Sequence, residues 1–168
     1  MRKRRVDTEV GADERELIAQ LYPALLRFAS TVRPAGRDGN DLVQEALLKV
    51  LERGSLTGVA YPAAYIRRII VNLAVDHSRS QARERKALAR HGPPSPEPAS
   101  HSWDLDELRQ VSPKARAAIF LHSIEGRSYV EIAQLLGCSQ VSARVAANRG
   151  RRQLQEILAS EEARDATA

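Results

Sequence analysis

A basic helix predicted near the carboxyl terminus concentrates side chains that can recognise DNA. Arginine pairs with guanine and asparagine with adenine through two hydrogen bonds in the major groove, and each such pairing discriminates by about 1–3 kcal/mol. The residues that we place toward DNA are Ser142, Arg144, Val145, Asn148, Arg149, Arg151 and Arg152. Of these, Arg144, Asn148 and Arg149 are the predicted base readers, whereas Arg151 and Arg152 are predicted to hold phosphates.

The residues before the basic helix predict a second helix and a tight turn. Ser128 and Glu131 have the spacing of a capping box, which begins a helix. Gly137 supplies the left-handed position that ends this helix, and Ser139 can cap the basic helix that follows. A short helix, a glycine turn and a basic helix form the helix-turn-helix, whose second helix enters the major groove. The sequence therefore predicts a DNA-reading motif.

A second polar face runs along a long helix predicted in the amino-terminal half. Asn72, Asp76, Arg79 and Arg83 follow one another at intervals of four, three and four residues, which places them on one side of a helix. The Asn72 amide can hydrogen-bond a base edge, and the two arginines can neutralise phosphates. This face is a second candidate site for nucleic acid.

The helix predicted before it has an acidic face. Asp41 and Glu45 lie four residues apart, next to Gln44. An ordinary solvated surface shows the same pattern, so the residues alone leave two interpretations open. The face is either simply solvated or a docking site for a basic partner.

The apolar spacing predicts helices over residues 14–32, 40–53, 62–86 and 105–110. A further helix opens at Ser112 and Pro113, and the two helices of the DNA-reading motif follow it. The apolar residues that this further helix carries are Ala117, Ile119, Phe120, Leu121 and Ile124. Pro23 falls inside the first helix, where a proline can introduce a kink. No segment shows the alternation of a β-strand. The predicted fold is all-α.

Prolines divide the chain into two parts. Residues 91–100 contain four of the eight prolines and almost nothing that could enter a core, which is typical of an extended linker. We therefore predict a disordered basic tail over 1–12, a helical domain over 13–88 and a flexible Pro-rich linker over 89–104. A helix-turn-helix domain follows over 105–160, and residues 161–168 form a second disordered tail.

Composition narrows the class of function. The 168 residues have a net charge of +5, which favours a polyanionic partner. Cys138 is the only cysteine, so an intrachain disulfide and a cysteine zinc site are excluded. The four histidines are scattered and no catalytic motif is present, so we expect no enzyme, catalytic residue, metal or cofactor. No apolar run reaches the roughly 20 residues that span a bilayer, which predicts a cytoplasmic protein without membrane insertion.

The order of these patterns resembles the bacterial RNA polymerase sigma factors of the extracytoplasmic-function group. Three stretches carry the resemblance: residues 41–45, 64–76 and 125–139. Members of this family have one helical domain for the promoter −10 element and one for the −35 element, joined by a variable linker. The resemblance thus implies a promoter-specificity subunit that supports transcription initiation.

The resemblance also implies partners and roles for the site residues. Asp41, Gln44 and Glu45 become candidate contacts to the β′ clamp helices of core RNA polymerase, which also binds through its β subunit. The face from Asn72 to Arg83 becomes the −10 contact, and the loop over residues 54–61 becomes part of a pocket for an extruded base. The basic helix becomes the −35 reader. An anti-sigma factor is a possible further partner, and we expect the free chain to be a monomer.

The chain also departs from the family pattern. Val145 and Ala146 stand where many relatives have a polar residue and an arginine. The −35 sequence is therefore not predictable, and two alternatives stay open. The chain could be a sigma-like or stand-alone helix-turn-helix regulator that does not support initiation, or an interaction protein that binds polymerase without choosing promoters. Promoter binding that depends on polymerase separates a sigma factor from both.

Overall fold

A computed structural model describes residues 11–90 and 109–165. It contains six α-helices in this part of the chain, which we number in order. They are α1 (Ala12–Val32), α2 (Gly39–Arg53), α3 (Pro62–Leu88), α4 (Pro113–Ile119), α5 (Tyr129–Leu136) and α6 (Gln140–Asp165). No strand occurs within these ranges, so the predicted all-α fold is confirmed. Most of the predicted helix over 105–110, the first ten residues and the Pro-rich segment lie outside the described residues.

The first three helices form a bundle around a shared apolar core. Each helix turns one apolar stripe inward, as its spacing predicts. The fully buried side chains at the centre include Leu25, Phe28, Leu42, Ile66 and Ile70. α1 and α2 approach so closely that a Cβ at Gly39 would lie 2.9 Å from the backbone nitrogen of Ser30. α1 continues through Pro23 as one helix.

The carboxyl-terminal half consists of α4, a single π-helical turn over Phe120–Ile124, and the pair α5 and α6. Ser112 caps α4 by accepting a hydrogen bond from the backbone N–H of Ala115, as expected. The π turn corrects one expectation. Ile124, which we had assigned to the apolar side of this helix, is 72% exposed. The bond from Glu125 N to Phe120 O widens the turn and carries Ile124 away from the core.

α6 packs on α4 through small residues. Ala143, Ala147 and Gly150 are buried, as their spacing predicts. A Cβ at Gly150 would lie 3.1 Å from the Cβ of Ala115 and 3.2 Å from Cγ1 of Val111. Glycine at this position therefore serves close helix packing, which offsets its cost in helix propensity. α6 continues to Asp165, past the domain boundary that we predicted at residue 160.

The two halves pack against each other. Arg67 of α3 donates two hydrogen bonds to the carboxylate of Glu125, at 2.7 and 2.6 Å. The Arg67 side chain is 8% exposed and that of Glu125 is 23% exposed, so the ion pair is largely removed from water. Arg67 also lies over the ring of Phe28, and Phe28 meets Phe120 edge to face at 5.7 Å. The core is thus continuous from one half to the other.

Arg116 forms a second contact between the halves. It lies on α4 and donates to the backbone carbonyls of Thr31 and Arg33 at the end of α1, at 3.0 and 2.9 Å. Unpaired carbonyls at a helix carboxyl terminus carry partial negative charge, which suits a cation. Burial, with Arg109 and Arg33 nearby, lowers the pKa of Arg116 to about 10. The guanidinium therefore stays charged at neutral pH.

Candidate nucleic-acid and polymerase interfaces

The helix-turn-helix begins with the predicted capping box. Ser128 Oγ accepts from the backbone N–H of Glu131 at 3.3 Å, and the Glu131 carboxylate accepts from the Ser128 N–H at 2.8 Å. The hydrogen bonds that the Glu131 carboxylate accepts from the backbone N–H and the hydroxyl of Ser128, and from Arg127, lower its pKa below the usual value. Ile132 and Leu136 then turn inward and are buried, while Leu135 is half-buried. α5 is therefore fixed at its start by polar bonds and along its length by the core.

The turn between α5 and α6 has the predicted geometry. Gly137 has φ 64° and ψ 45°, the left-handed conformation that glycine adopts at little cost. A Cβ at this position would also collide with the guanidinium of Arg68 on α3. Ser139 Oγ accepts from the backbone N–H of Ser142 at 3.1 Å and so caps α6. The turn sets the direction of α6, the helix that carries the basic residues.

α6 directs its predicted DNA-reading side chains to solvent. Ser142, Arg144, Val145, Asn148, Arg149 and Arg152 are exposed, and Arg151 is half-buried. Within the described residues, the guanidinium groups of Arg144 and Arg149 make no hydrogen bond or ion pair. Arg152 lies 3.5 Å from Glu156, in a pair so exposed that it contributes little to stability. Ser142 Oγ accepts a hydrogen bond from Ser139.

Arg151 connects α6 to α5. Its guanidinium donates to the hydroxyl of Tyr129 at 2.9 Å and to Oδ1 of Asn148 at 2.7 Å. Tyr129 in turn stacks on His122, with ring centroids 4.3 Å apart. The bond from Arg151 uses one of the two lone pairs of Asn148 Oδ1 and orients the amide. The second lone pair and the amide N–H groups stay available for a bidentate contact to adenine.

The predicted −10 face also lies open to solvent. Asn72, Asp76, Arg79 and Arg83 are all exposed on α3. A crevice of about 210 Å³ separates Asn72 and Asp76 from two basic residues of α2, Lys49 and Arg53. Our sequence analysis did not single out this basic pair, because only the packing of α2 on α3 brings the four side chains together.

A larger groove lies beside the loop that connects α2 and α3. Its volume is about 760 Å³. Val59, Tyr61 and Pro62 line it, together with Leu17 and Leu21 of α1. Residues Glu131, Gln134 and Leu135 of α5 also line it. Tyr61 is 78% exposed, so an aromatic ring is available at the edge of this groove. Tyr65 also lines the groove but is partly buried against the core.

The acidic face of α2 is only partly free. Asp41 and Gln44 are exposed. Glu45 is half-buried and lies 2.9 Å from Nε2 of His77 on α3. Asp41 and Gln44 are thus open to solvent, whereas Glu45 also holds α2 against α3.

Three buried charged residues were missing from our sequence analysis. Glu14, Arg67 and Arg116 are each at most 7% exposed. Charged side chains are almost never fully buried unless they are paired, so their burial points to specific contacts. Each has its partners far away along the chain, and no local pattern marks such a pairing.

Residues 11–90 and 109–165 contain neither a cluster of metal-ligating side chains nor a helix that could cross a membrane. This part of the chain has no cluster of three or more His, Cys, Asp or Glu side chains placed to hold a metal ion. None of the helices in the same ranges is both long enough and apolar enough to cross a membrane.

Two family models match the chain, one in each half. The model of Sigma-70 region 2 matches residues 17–84, which cover the bundle of α1 to α3. The model of Sigma-70 region 4 matches residues 105–154, which cover α4, α5 and most of α6. The two matches coincide with the two halves that the proline-rich segment separates.

Whole-chain comparisons agree with these matches. RNA polymerase sigma factor CarQ of Myxococcus xanthus is 32% identical over 152 residues, which cover 85% of this chain and 87% of that protein. ECF RNA polymerase sigma factor SigE of Mycolicibacterium smegmatis is 31% identical over 86% of this chain, which spans 61% of that longer protein.

A solved structure is similar over nearly the whole chain. It is the sigma factor RpoE of Bartonella quintana, crystallised with the anti-sigma factor NepR. The TM-score is 0.62 at 27% identity, covering 88% of this chain and 98% of that one. With both regions matched in order, the chain belongs to the sigma-70 family of RNA polymerase sigma factors, in its extracytoplasmic-function group, and is a promoter-specificity subunit of RNA polymerase.

Proposed function

We propose that α6 reads the −35 element, that α3 and the loop before it hold the −10 element, and that α2 docks on core RNA polymerase. The observation that carries this proposal is the cationic face of α6. Arg144 and Arg149 are exposed there, directly after a capped helix and a glycine turn. This is the arrangement in which a recognition helix enters the major groove.

The −10 contact combines a polar face with a groove. Asn72 offers a base contact, and Arg79 and Arg83 lie farther along the same exposed side of α3. The groove beside Tyr61 has room for an unstacked base, and an aromatic ring at its edge favours stacking. Binding energy from these contacts stabilises melted DNA, so the protein itself performs no covalent chemistry.

The polymerase contact lies on α2. Asp41 and Gln44 are its exposed polar residues, and the half-buried Glu45 is partly accessible beside them. A carboxylate placed against a basic surface speeds association and sets the orientation of the complex. We assign this surface to the β′ clamp helices and place the protein in the cytoplasm as a monomer when free. An anti-sigma factor is a further candidate partner, because the neighbour from Bartonella quintana is bound to one.

The polymerase contact can be tested by reversing one charge. Asp41→Lys should weaken binding to core RNA polymerase at least about tenfold, because a like charge then faces a basic partner. Glu16→Lys is the matched control, since Glu16 is an exposed carboxylate on a different helix, α1. The dissociation constant for labelled core enzyme gives the answer. Equal weakening by both variants, or none by Asp41→Lys, would remove α2 from the interface.

A further inference from the structure

Glu14 is a buried carboxylate at the start of α1. It is 3% exposed, although it lies in the first turn of a helix whose other early residues are exposed. Partial positive charge at a helix amino terminus stabilises a carboxylate there. Burial still removes its hydration, so the group needs hydrogen-bond donors from elsewhere in the fold.

The donors come from the loop between α2 and α3, about forty residues away along the chain. The backbone N–H of Leu56 donates to Oε1 of Glu14 at 2.5 Å, and the Ser55 hydroxyl donates to the same oxygen at 3.0 Å. A hydroxyl has one proton, so Ser55 Oγ is then an acceptor toward Thr57. It accepts from the Thr57 N–H at 3.1 Å and from the Thr57 hydroxyl at 2.8 Å.

This network fixes one end of the loop that lines the larger groove. Leu56 begins a short 3₁₀ turn, Leu56–Gly58, and its side chain is 1% exposed. The chain then leads through Val59 to Tyr61 along the groove wall. Leu17 and Leu21, which also line the groove, belong to the same helix as Glu14. A single helix therefore both lines the groove and anchors the loop that lines it as well.

We infer that Glu14 is a positioning residue for capture of the −10 base. Its Oε1 atom holds the loop over residues 54–61 in the shape that receives an unstacked base. This inference rests on the proposed role of the groove, and Glu14 itself touches no DNA. Because Oε1 alone accepts both hydrogen bonds, the amide oxygen of a glutamine at this position should hold the loop in the same way.

The test compares three variants of the full chain assembled with core RNA polymerase. Glu14→Leu removes the acceptor and leaves a buried N–H unsatisfied. Glu14→Gln keeps the oxygen. Glu16→Leu makes the same chemical change as Glu14→Leu at an exposed position of α1. Each variant holoenzyme is tested for its affinity for two DNAs, the single-stranded −10 oligonucleotide of a promoter selected with the wild-type holoenzyme and duplex −35 DNA. The affinity of each variant chain for core enzyme is measured separately.

We expect Glu14→Leu to lower the affinity for the −10 strand about tenfold, the usual effect of an unsatisfied buried donor. Affinities for −35 duplex and core enzyme should stay within about twofold of wild type, and Glu14→Gln and Glu16→Leu should match wild type throughout. An unchanged −10 affinity in Glu14→Leu would overturn the inference. So would a Glu14→Gln variant as weak as Glu14→Leu.

A second variant covers the case in which Glu14→Leu loses all three affinities through misfolding. Ser55→Ala removes one of the two bonds from an exposed loop residue, and we expect a partial loss of about threefold on the −10 strand alone. No loss with Ser55→Ala would then overturn the inference. If the wild-type holoenzyme itself does not bind the −10 strand, the proposed groove function fails, and this inference fails with it.

Discussion

Arg149 and Arg152 occupy the same helix and the same exposed side, yet their surroundings differ. Arg149 makes no bond within the described residues, whereas Arg152 lies near Glu156. We expect Arg149→Ala to cost about 1–3 kcal/mol on the preferred −35 sequence and to relax specificity there. Arg152→Ala should weaken binding to all duplexes by a similar factor. The slope of log affinity against log salt concentration should fall by about the share of one phosphate contact.

Titrations of a promoter duplex and a scrambled duplex at several salt concentrations separate these two effects. A preserved sequence preference in Arg149→Ala would remove Arg149 from the base readers. A preference lost in Arg152→Ala would move that residue from the phosphate contacts to the base contacts.

The lowered pKa of Glu131 predicts how the stability of the protein depends on pH. Its pKa is lowered in the fold by the bonds to Ser128 and Arg127, so the carboxylate stabilises the protein above its unfolded pKa, near 4.5. This contribution is lost as the pH falls through the lower, folded value. The difference in unfolding free energy between wild type and Glu131→Gln should therefore be constant from neutral pH to about pH 5 and shrink below pH 4.5. Urea unfolding at a series of pH values measures it, and a difference that grows toward low pH would contradict the assignment.

At the scale of helices, the contact between α1 and α2 depends on Gly39. A Cβ there meets the backbone of Ser30, which cannot move aside as a flexible side chain can. We expect Gly39→Ala to lower the free energy of unfolding by about 1–3 kcal/mol through overpacking. Gly58→Ala is the control, because a Cβ at Gly58 meets nothing within 4 Å. Thermal unfolding of both variants measures the effect. Equal stabilities of Gly39→Ala and Gly58→Ala would mean that α1 and α2 can move apart at this contact without a loss of stability.

Local signals in the sequence were sufficient to predict the helices. Predicted bounds of 14–32, 40–53 and 62–86 compare with Ala12–Val32, Gly39–Arg53 and Pro62–Leu88. Caps and apolar spacing act over a few residues, which is why they can be read directly. The assignments of individual residues to −35, −10 and polymerase contacts stay predictions.

Contacts between distant residues could not be predicted in this way. Arg67 meets Glu125 across 58 positions, and no periodic pattern links them. Glu14 likewise finds Leu56 only because α1 packs beside the loop. Ile124 was misplaced since the π turn interrupts the α-helical spacing on which the expectation relied.

At the scale of the whole molecule, the closed packing of the two halves has a geometric consequence. A compact unit of the 137 residues in the described ranges 11–90 and 109–165 has a radius of gyration of about 14 Å, and so measures roughly 37 Å across. Promoter elements about 25 base pairs apart are separated by about 85 Å of duplex. The closed molecule cannot reach both. The residues between Arg90 and Arg109 can span about 60 Å when extended, so opening brings both elements within reach. Opening also takes α5 away from the larger groove, whereas the α1 and loop residues that line it belong to one half and stay together.

The Arg67–Glu125 pair should control this opening. Glu125→Gln leaves a buried guanidinium without its counter-charge and should weaken the closed state by about 2 kcal/mol. Small-angle scattering should then show a larger radius of gyration for Glu125→Gln than for wild type. Glu156→Gln, which alters an exposed pair, should match wild type. Equal radii for wild type and Glu125→Gln would mean that this pair does not hold the halves together.

Initiation from specific promoters is the central claim, and run-off transcription tests it most directly. Purified core RNA polymerase is given a library of genomic fragments with and without this protein, and transcript start sites are mapped. The account predicts new, discrete starts that share two spaced sequence elements and disappear with Arg149→Ala. Tight binding to core enzyme without new starts would contradict it and indicate a sigma-like regulator. Binding to DNA but not to polymerase would contradict it in favour of a stand-alone helix-turn-helix protein.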